Sequence, residues 1–167
     1  GLFEGETLPE SLAAFKDVKL DLEFGKVTTI YTLHQLDCEK IVVVGLGNGK
    51  KNIKEAFSKV EADDYLVYVT ENTAYAAGFG LVYGAYSYKE TKVYDLESDG
   101  FKDEFEKGKT VARIVNHARE MSDMPANFLT PDHLVDEAKM VSEKYGMEME
   151  VLDHDDLDQL GAGALLA

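Results

Sequence analysis

The residues whose types and spacing could do chemistry are few. Gly45-Leu46-Gly47-Asn48-Gly49-Lys50-Lys51 follows an apolar run and precedes a helical pattern, the setting of a phosphate-cradling loop. A P-loop places four residues between its glycines and a Ser or Thr after its lysine. Here Leu46, Gly47 and Asn48 alone separate Gly45 from Gly49, and Lys51 stands in the hydroxyl's place. The dinucleotide fingerprint wants a third glycine where Lys50 stands. Both motifs fail, and a tight strand-to-helix turn is the better reading. Asp153-His154-Asp155-Asp156-Leu157-Asp158 invites a calcium site. An EF-hand loop would need an oxygen ligand at Leu157 and a glycine at Asp158. It has neither, and acidic residues in a first helical turn are favoured by the helix dipole alone.

The remaining candidates are weaker. His34 and Cys38 could approach across a turn, but a Cys–His nucleophile needs a third orienting group and a pocket. His117 falls at helical spacing from Arg113 and Met121, a packing or capping position. His133 lies in the first turn of a capped helix, where it is solvated. Ser87, Ser98 and Ser122 lie in no nucleophile elbow. No catalytic, cofactor-binding or metal-ligating residue is therefore assigned within these 167 residues.

The elements that would position any site alternate strand and helix. Val27–Leu33 reads as a strand, His34–Glu39 as a hairpin-like connection, and Ile41–Val44 as a strand apolar on both sides. Asn52–Val60 reads as a helix and Tyr65–Val69 as a strand. Asn72 is placed to cap a helix through Ala74, Ala77, Leu81 and Ala85. The small face of that helix (Ala76, Ala77, Gly78, Gly80, Gly84) would allow close packing on a sheet. Lys92–Leu96 is a short edge strand. The alternation predicts an α/β fold, with a mixed sheet because of the hairpin.

From Phe101 the texture changes. Phe101–Met124 is one helical pattern, weakened at Gly108 so that its continuous part begins near Lys109, and stopped by Pro125. Thr130 caps a second helix with Pro131 at its first position, ending at Gly146. Met147–Leu152 alternates like a strand, and Asp153 opens a short helix to Leu160. Leu165-Leu166-Ala167 reads as the start of a strand, cut short.

Charge narrows the function classes. Against 17 Lys and Arg stand 32 Asp and Glu, a net charge of −15 with an isoelectric point near 4.6. Nucleic acid and anionic membrane surfaces would be repelled. Cys38 is the one cysteine, so there is no internal disulfide. No apolar run approaches a bilayer span, and the first ten residues lack the form of a signal peptide. The expectation is a cytoplasmic protein. Residues 122–167 hold 11 acidic and 2 basic residues, so the chain is bipartite.

An ordered set of segments carries a resemblance. Arg113-Ile114-Val115-Asn116, Met124-Pro125-Ala126-Asn127-Phe128-Leu129-Thr130-Pro131, Val151-Leu152-Asp153 and Leu160–Ala167 resemble the inter-domain segment of the leucyl (cytosol) aminopeptidase family. Upstream, Gly1–Gly5, Val42–Gly47 and Gly84–Lys89 are similar to the family's N-terminal domain. Ala162 stands where the family has methionine. The resemblance implies a macro-domain-like fold, a three-layer mixed sheet flanked by helices. It divides the chain into an N-terminal α/β domain over 1–108, a linker helix over 109–124 and the beginning of a truncated peptidase domain over 125–167.

The resemblance also implies a function. Members are cytoplasmic hexamers that use two divalent metal ions, zinc or manganese, to release N-terminal residues such as leucine from peptides. Their ligands, a lysine, aspartates and a glutamate in an Asn-Thr-Asp-Ala-Glu-Gly-Arg run, have no counterpart here. This portion is expected to be inactive and to serve structure and assembly. Two alternatives stand beside it. One is a stand-alone macro-like module holding a nucleotide or ADP-ribose-type ligand at the Gly45–Gly49 turn. The other is an interaction protein using its acidic face.

Overall fold

The computed structural model describes residues 1–91 and 93–166. They divide into two units, Gly1–Ser122 and Asp123–Ala167, each treated separately below.

In the first unit, β1 (Val27–Tyr31) and β2 (Lys40–Val44) form an antiparallel hairpin, in register from Val27↔Val44 to Tyr31↔Lys40. Alternation buries Ile30 of β1 and leaves Tyr31 exposed. The Thr32 N–H donates to the Glu39 carbonyl, and the Thr32 hydroxyl to those of Cys38 and Glu39. A turn closed by Gln35 N–H on the Thr32 carbonyl holds Leu33 and His34 at φ 48° and 66°. Both are left-handed positions that Asn and Gly normally fill. The strand thus ends two residues before Leu33, because that residue must turn.

After β2 the chain passes through α1 (Ile53–Phe57), capped by Asn52, whose side chain accepts from Lys54 N–H. It is shorter than the expected Asn52–Val60. Next come β3 (Tyr65–Val67), α2 (Ala74–Gly84) and β4 (Leu96–Ser98). β3 and β4 pair in parallel, Tyr65↔Leu96 to Val67↔Ser98. The fold is thus mixed α/β, with both senses of pairing. Among the described residues the strands form two small sheets rather than one. Strands of three residues offer few ladder bonds, so much of the α/β unit is held by helix packing. The edge strand expected over Lys92–Leu96 begins at a residue outside those described; its observed counterpart starts at Leu96.

α2 corrects two expectations. Its N-cap position is Thr73, not Asn72, and the preceding turn is built from Thr70. Thr73 Oγ1 accepts from Thr70 N–H at 2.8 Å, and the Thr70 carbonyl accepts from Ala74 N–H at 2.9 Å. Its glycine face meets helices, not a sheet. A methyl group on Gly80 would strike the Lys54 carbonyl and one on Gly84 the Ser58 carbonyl, both at α1. A methyl on Gly78 would strike the Phe105 carbonyl of α3 (Lys102–Asp123), and one on Gly108 the Tyr75 carbonyl of α2. α3 therefore runs unbroken through Gly108. The glycine costs about 1 kcal/mol of helix propensity, and close backbone packing offsets that. The core around these contacts holds Phe57, Leu46, Ala77, Leu81 and Phe105.

In the second unit, α4 (Pro131–Tyr145) has the expected boundaries. Thr130 accepts from His133 N–H, and Gly146 closes the helix at φ 64°. α5 (His154–Gln159) opens with Asp153 and Asp156 in a reciprocal capping box. The strand expected over Met147–Leu152 is absent: the segment is exposed and has no partner strand among the described residues. The strand expected from Leu165 is also absent. Gly163–Leu166 is a short helix, α6, and Ala167 lies outside the described residues.

Gly78→Ala should lower stability by about 1–3 kcal/mol through overpacking, more than the helix propensity gained. Gly163→Ala, with nothing near its added methyl, should be near neutral. Urea unfolding of both variants checks this.

Candidate functional site

The Gly45–Lys51 turn is built for close approach of backbones. A methyl on Gly45 would strike the Glu23 carbonyl. Gly45 N–H donates to Lys26, Leu46 N–H to Leu2 and Gly47 N–H to Leu22, all at 2.8–3.1 Å and all to carbonyls. A phosphate cradle needs those N–H groups free; here they are spent. Lys50 N–H is taken by Asn48 Oδ1 at 3.2 Å. Lys51 lies over the Phe24 ring, 5.0 Å from its centroid.

The acidic run 153–158 is likewise consumed locally. Asp153 Oδ1 accepts from the N–H groups of Asp155 and Asp156, and Asp156 Oδ2 from Asp153 N–H. Cys38 is exposed, and the fold uses its carbonyl rather than its thiol. His117 sits on the exposed side of α3. His133, half-exposed, has Nε2 3.8 Å from Glu137 Oε1, one helical turn away. Ser87 shapes a turn with Thr91, and Ser122 Oγ donates to Ala118. Ser98 is buried in β4 and its hydroxyl finds no partner. Among the described residues no three His, Cys, Asp or Glu side chains gather as a metal would require.

Burial lowers the Gly1 amine to about 6, and three further shifted groups lie at the start of β2 and beside the start of β3. Lys40 Nζ is 2.7 Å from Asp63 Oδ2 and 5.8 Å from the Tyr65 ring centroid. The hydrogen bond from Lys40, and then the Asp64 N–H, hold Asp63 below the usual carboxylate range. The same bond raises Lys40, while burial raises Tyr65. This is a brace between two strands.

Polar side chains of α3 join it to α2 and to β4. Asn116 Nδ2 donates to the Val82 carbonyl at 2.8 Å, and Arg119 to the Tyr83 carbonyl at 3.0 Å. Lys109, buried, donates to the Leu96 carbonyl and to Glu106, each at 2.7 Å. Asn116 was legible as part of the resemblance. Arg119 was not, although its spacing of three from Asn116 puts both on one helix face.

Comparison with known proteins bears on the same stretch. Residues 116–167 match the model of the cytosol aminopeptidase family, catalytic domain. A probable cytosol aminopeptidase of Exiguobacterium sibiricum is 39% identical over 99 residues, covering 55% of this chain and 21% of that protein. One of Aromatoleum aromaticum is 25% identical, over 89% of this chain and 37% of that protein. One of Alkaliphilus metalliredigens is 24% identical, over 86% and 36%. The chain thus spans well under half the length of these relatives. Among solved structures, the bottromycin maturation enzyme BotP superposes with a TM-score of 0.68 at 17% identity, over 96% of this chain and 40% of that one. A second structure, of that enzyme in complex with Mn, also gives 0.68, at 18% identity, over 96% and 39%. At such identity the likeness concerns the fold.

The brace yields a prediction. A lowered Asp63 contributes stability above the carboxylate range and loses it as pH falls through its folded value. A raised Lys40 contributes below the lysine range and loses it as pH rises through its own. The pair therefore contributes between about pH 4 and pH 10. Asp63→Asn should lower the urea midpoint at pH 7, with the difference from the parent vanishing towards pH 2. The pair is largely exposed, so salt should shrink the effect.

With a catalytic-domain match over its last 52 residues and relatives that align along most of its length, the chain is similar to the cytosol aminopeptidase family.

Proposed function

We propose that this chain is the non-catalytic N-terminal portion of a leucyl aminopeptidase, a cytoplasmic two-metal exopeptidase that releases N-terminal residues such as leucine from peptides. In this reading residues 1–108 are a structural and assembly domain, 109–124 a linker helix, and 125–167 the opening of the peptidase domain. The whole enzyme assembles as a hexamer. Two divalent ions, zinc or manganese, would supply an activated water and a Lewis acid for the scissile carbonyl, and the family's run of metal-holding residues has no counterpart in residues 1–167.

One observation carries the reading. The match to the family's catalytic domain covers residues 116–167 alone, and most of the α/β unit Gly1–Ser122 precedes it. The coarse conclusion, a member of an aminopeptidase family, does not depend on the finer one.

The alternative, a module binding a nucleotide or ADP-ribose-type ligand at Gly45–Gly49, is disfavoured by the spent N–H groups of Gly45, Leu46 and Gly47.

The test is an assay of the purified chain on leucine p-nitroanilide with added Mn²⁺ or Zn²⁺. No turnover above the metal-only blank is expected; metal-dependent hydrolysis would end the claim of inactivity. Calorimetric titration with ADP-ribose should show no saturation up to millimolar ligand. Saturable binding lost on changing Gly49 or Lys50 would instead favour the binding module.

A further inference from the structure

The end of α3 carries contacts that the aminopeptidase reading leaves unused. The carbonyls of Val82 and Tyr83 belong to the last turn of α2, where backbone acceptors are short of intrahelical donors; that of Tyr83 has only the N–H groups of Ala85 and, at 3.5 Å, Tyr86. Asn116 donates to the Val82 carbonyl and Arg119 to the Tyr83 carbonyl from a different helix. Arg119 also donates to Asn116 Oδ1 at 3.0 Å, so the two side chains act as one unit. The guanidinium carbon lies 4.3 Å from the Tyr83 ring centroid and 4.1 Å from that of Tyr86. Its positive charge sits at the negative end of α2, where a cation is favoured.

The end of α3 needs such support. Its last turn carries no basic residue to offset the negative end of the helix. Pro125 follows, so the helix cannot be continued to protect that turn. Yet α3 stays helical to Asp123. The catalytic-domain match opens at Asn116, but Asn116 and Arg119 are bound to α2 of the first unit.

We propose that Asn116 and Arg119 form a clasp that locks the last turns of α3 onto the C-terminus of α2 and so keeps residues 117–123 helical. Arg119 is the positioning residue of the clasp. The inference rests on the α2–α3 contacts and stands whether or not the aminopeptidase reading does.

Hydrogen exchange and limited proteolysis on the whole 167-residue chain test it. Arg119→Ala should raise amide exchange over residues 117–123 about tenfold and make the stretch around Ser122 to Pro125 the first site cut. Amides of the β1–β2 hairpin should exchange as in the parent. Tyr86→Leu, which removes one ring and leaves the donors and acceptors of the Asn116 and Arg119 bonds in place, should give the same local pattern at two- to fivefold, and it serves should Arg119→Ala fail to fold. Arg119→Lys keeps the charge but not the planar fork, and should fall between the alanine variant and the parent. Unchanged exchange over 117–123 in both Arg119→Ala and Tyr86→Leu would overturn the clasp. Equal acceleration across the whole first unit would also overturn it, because that marks a general loss of stability.

Discussion

The first unit depends on backbones touching where no side chain intervenes. α2 has no charged residue between Ala74 and Gly84, and a helix apolar all round belongs inside. It is held there by glycines. Gly80 and Gly84 admit α1, Gly78 admits α3, and Gly108 of α3 returns the contact to Tyr75. The last two are reciprocal, each helix presenting a glycine to a carbonyl of the other. Such contacts are unforgiving because a carbonyl in a helix cannot swing aside as a flexible side chain can. They also explain a composition that propensity alone would reject: four glycines in two helices, each costing about 1 kcal/mol against alanine.

Bringing α2 and α3 this close has consequences along the rest of both helices. Tyr75, Phe79 and Tyr83 stack one turn apart along α2, with centroids 6.3 and 5.5 Å apart. Cations close both ends of that column. Lys54 lies over Tyr75 and Phe79, at 4.6 and 4.5 Å, and Arg119 lies at Tyr83. In a chain of net charge −15 these positive groups are therefore engaged with rings and carbonyls. Lys109 follows the same rule, buried against Phe105 with its ammonium on the Leu96 carbonyl. That bond ties β4 to α3.

What the sequence made legible follows from how local each signal is. Thr130, Pro131 and Gly146 bound α4 as expected, because a cap needs only neighbours three or four residues away. The hairpin was legible from alternation and length. Its turn was not, since Leu33 and His34 carry neither the Gly nor the Asn that such a turn usually displays. The glycine face of α2 announced close packing but could not name its partner, and helices took the place expected of a sheet. Met147–Leu152 alternates like a strand, but alternation without a neighbouring strand makes no ladder. For the candidate site, Asn116 stood within a recognisable stretch, whereas Arg119 gains its meaning only from Tyr83 and Tyr86, more than thirty residues earlier.

The two units are stabilised by different physics, and this bears on how the chain divides. The first owns a core in which Phe57, Phe105 and Leu46 are almost wholly removed from water. In the second, no described residue is buried. Its order comes from caps: Thr130 on α4, the Asp153–Asp156 box on α5 and the left-handed Gly146. A cap contributes about 1 kcal/mol, against a cost of about 1–2 kcal/mol for each backbone residue fixed. Caps can therefore set where these helices begin and end, but not hold a 45-residue unit together. Leu134 and Val141 of α4, 46% and 41% exposed, form the apolar stripe that packing would have to cover. The boundary between the units is thus an energetic one. It falls where side chains stop contributing to a shared core, a few residues beyond the last contacts of α3 with α2.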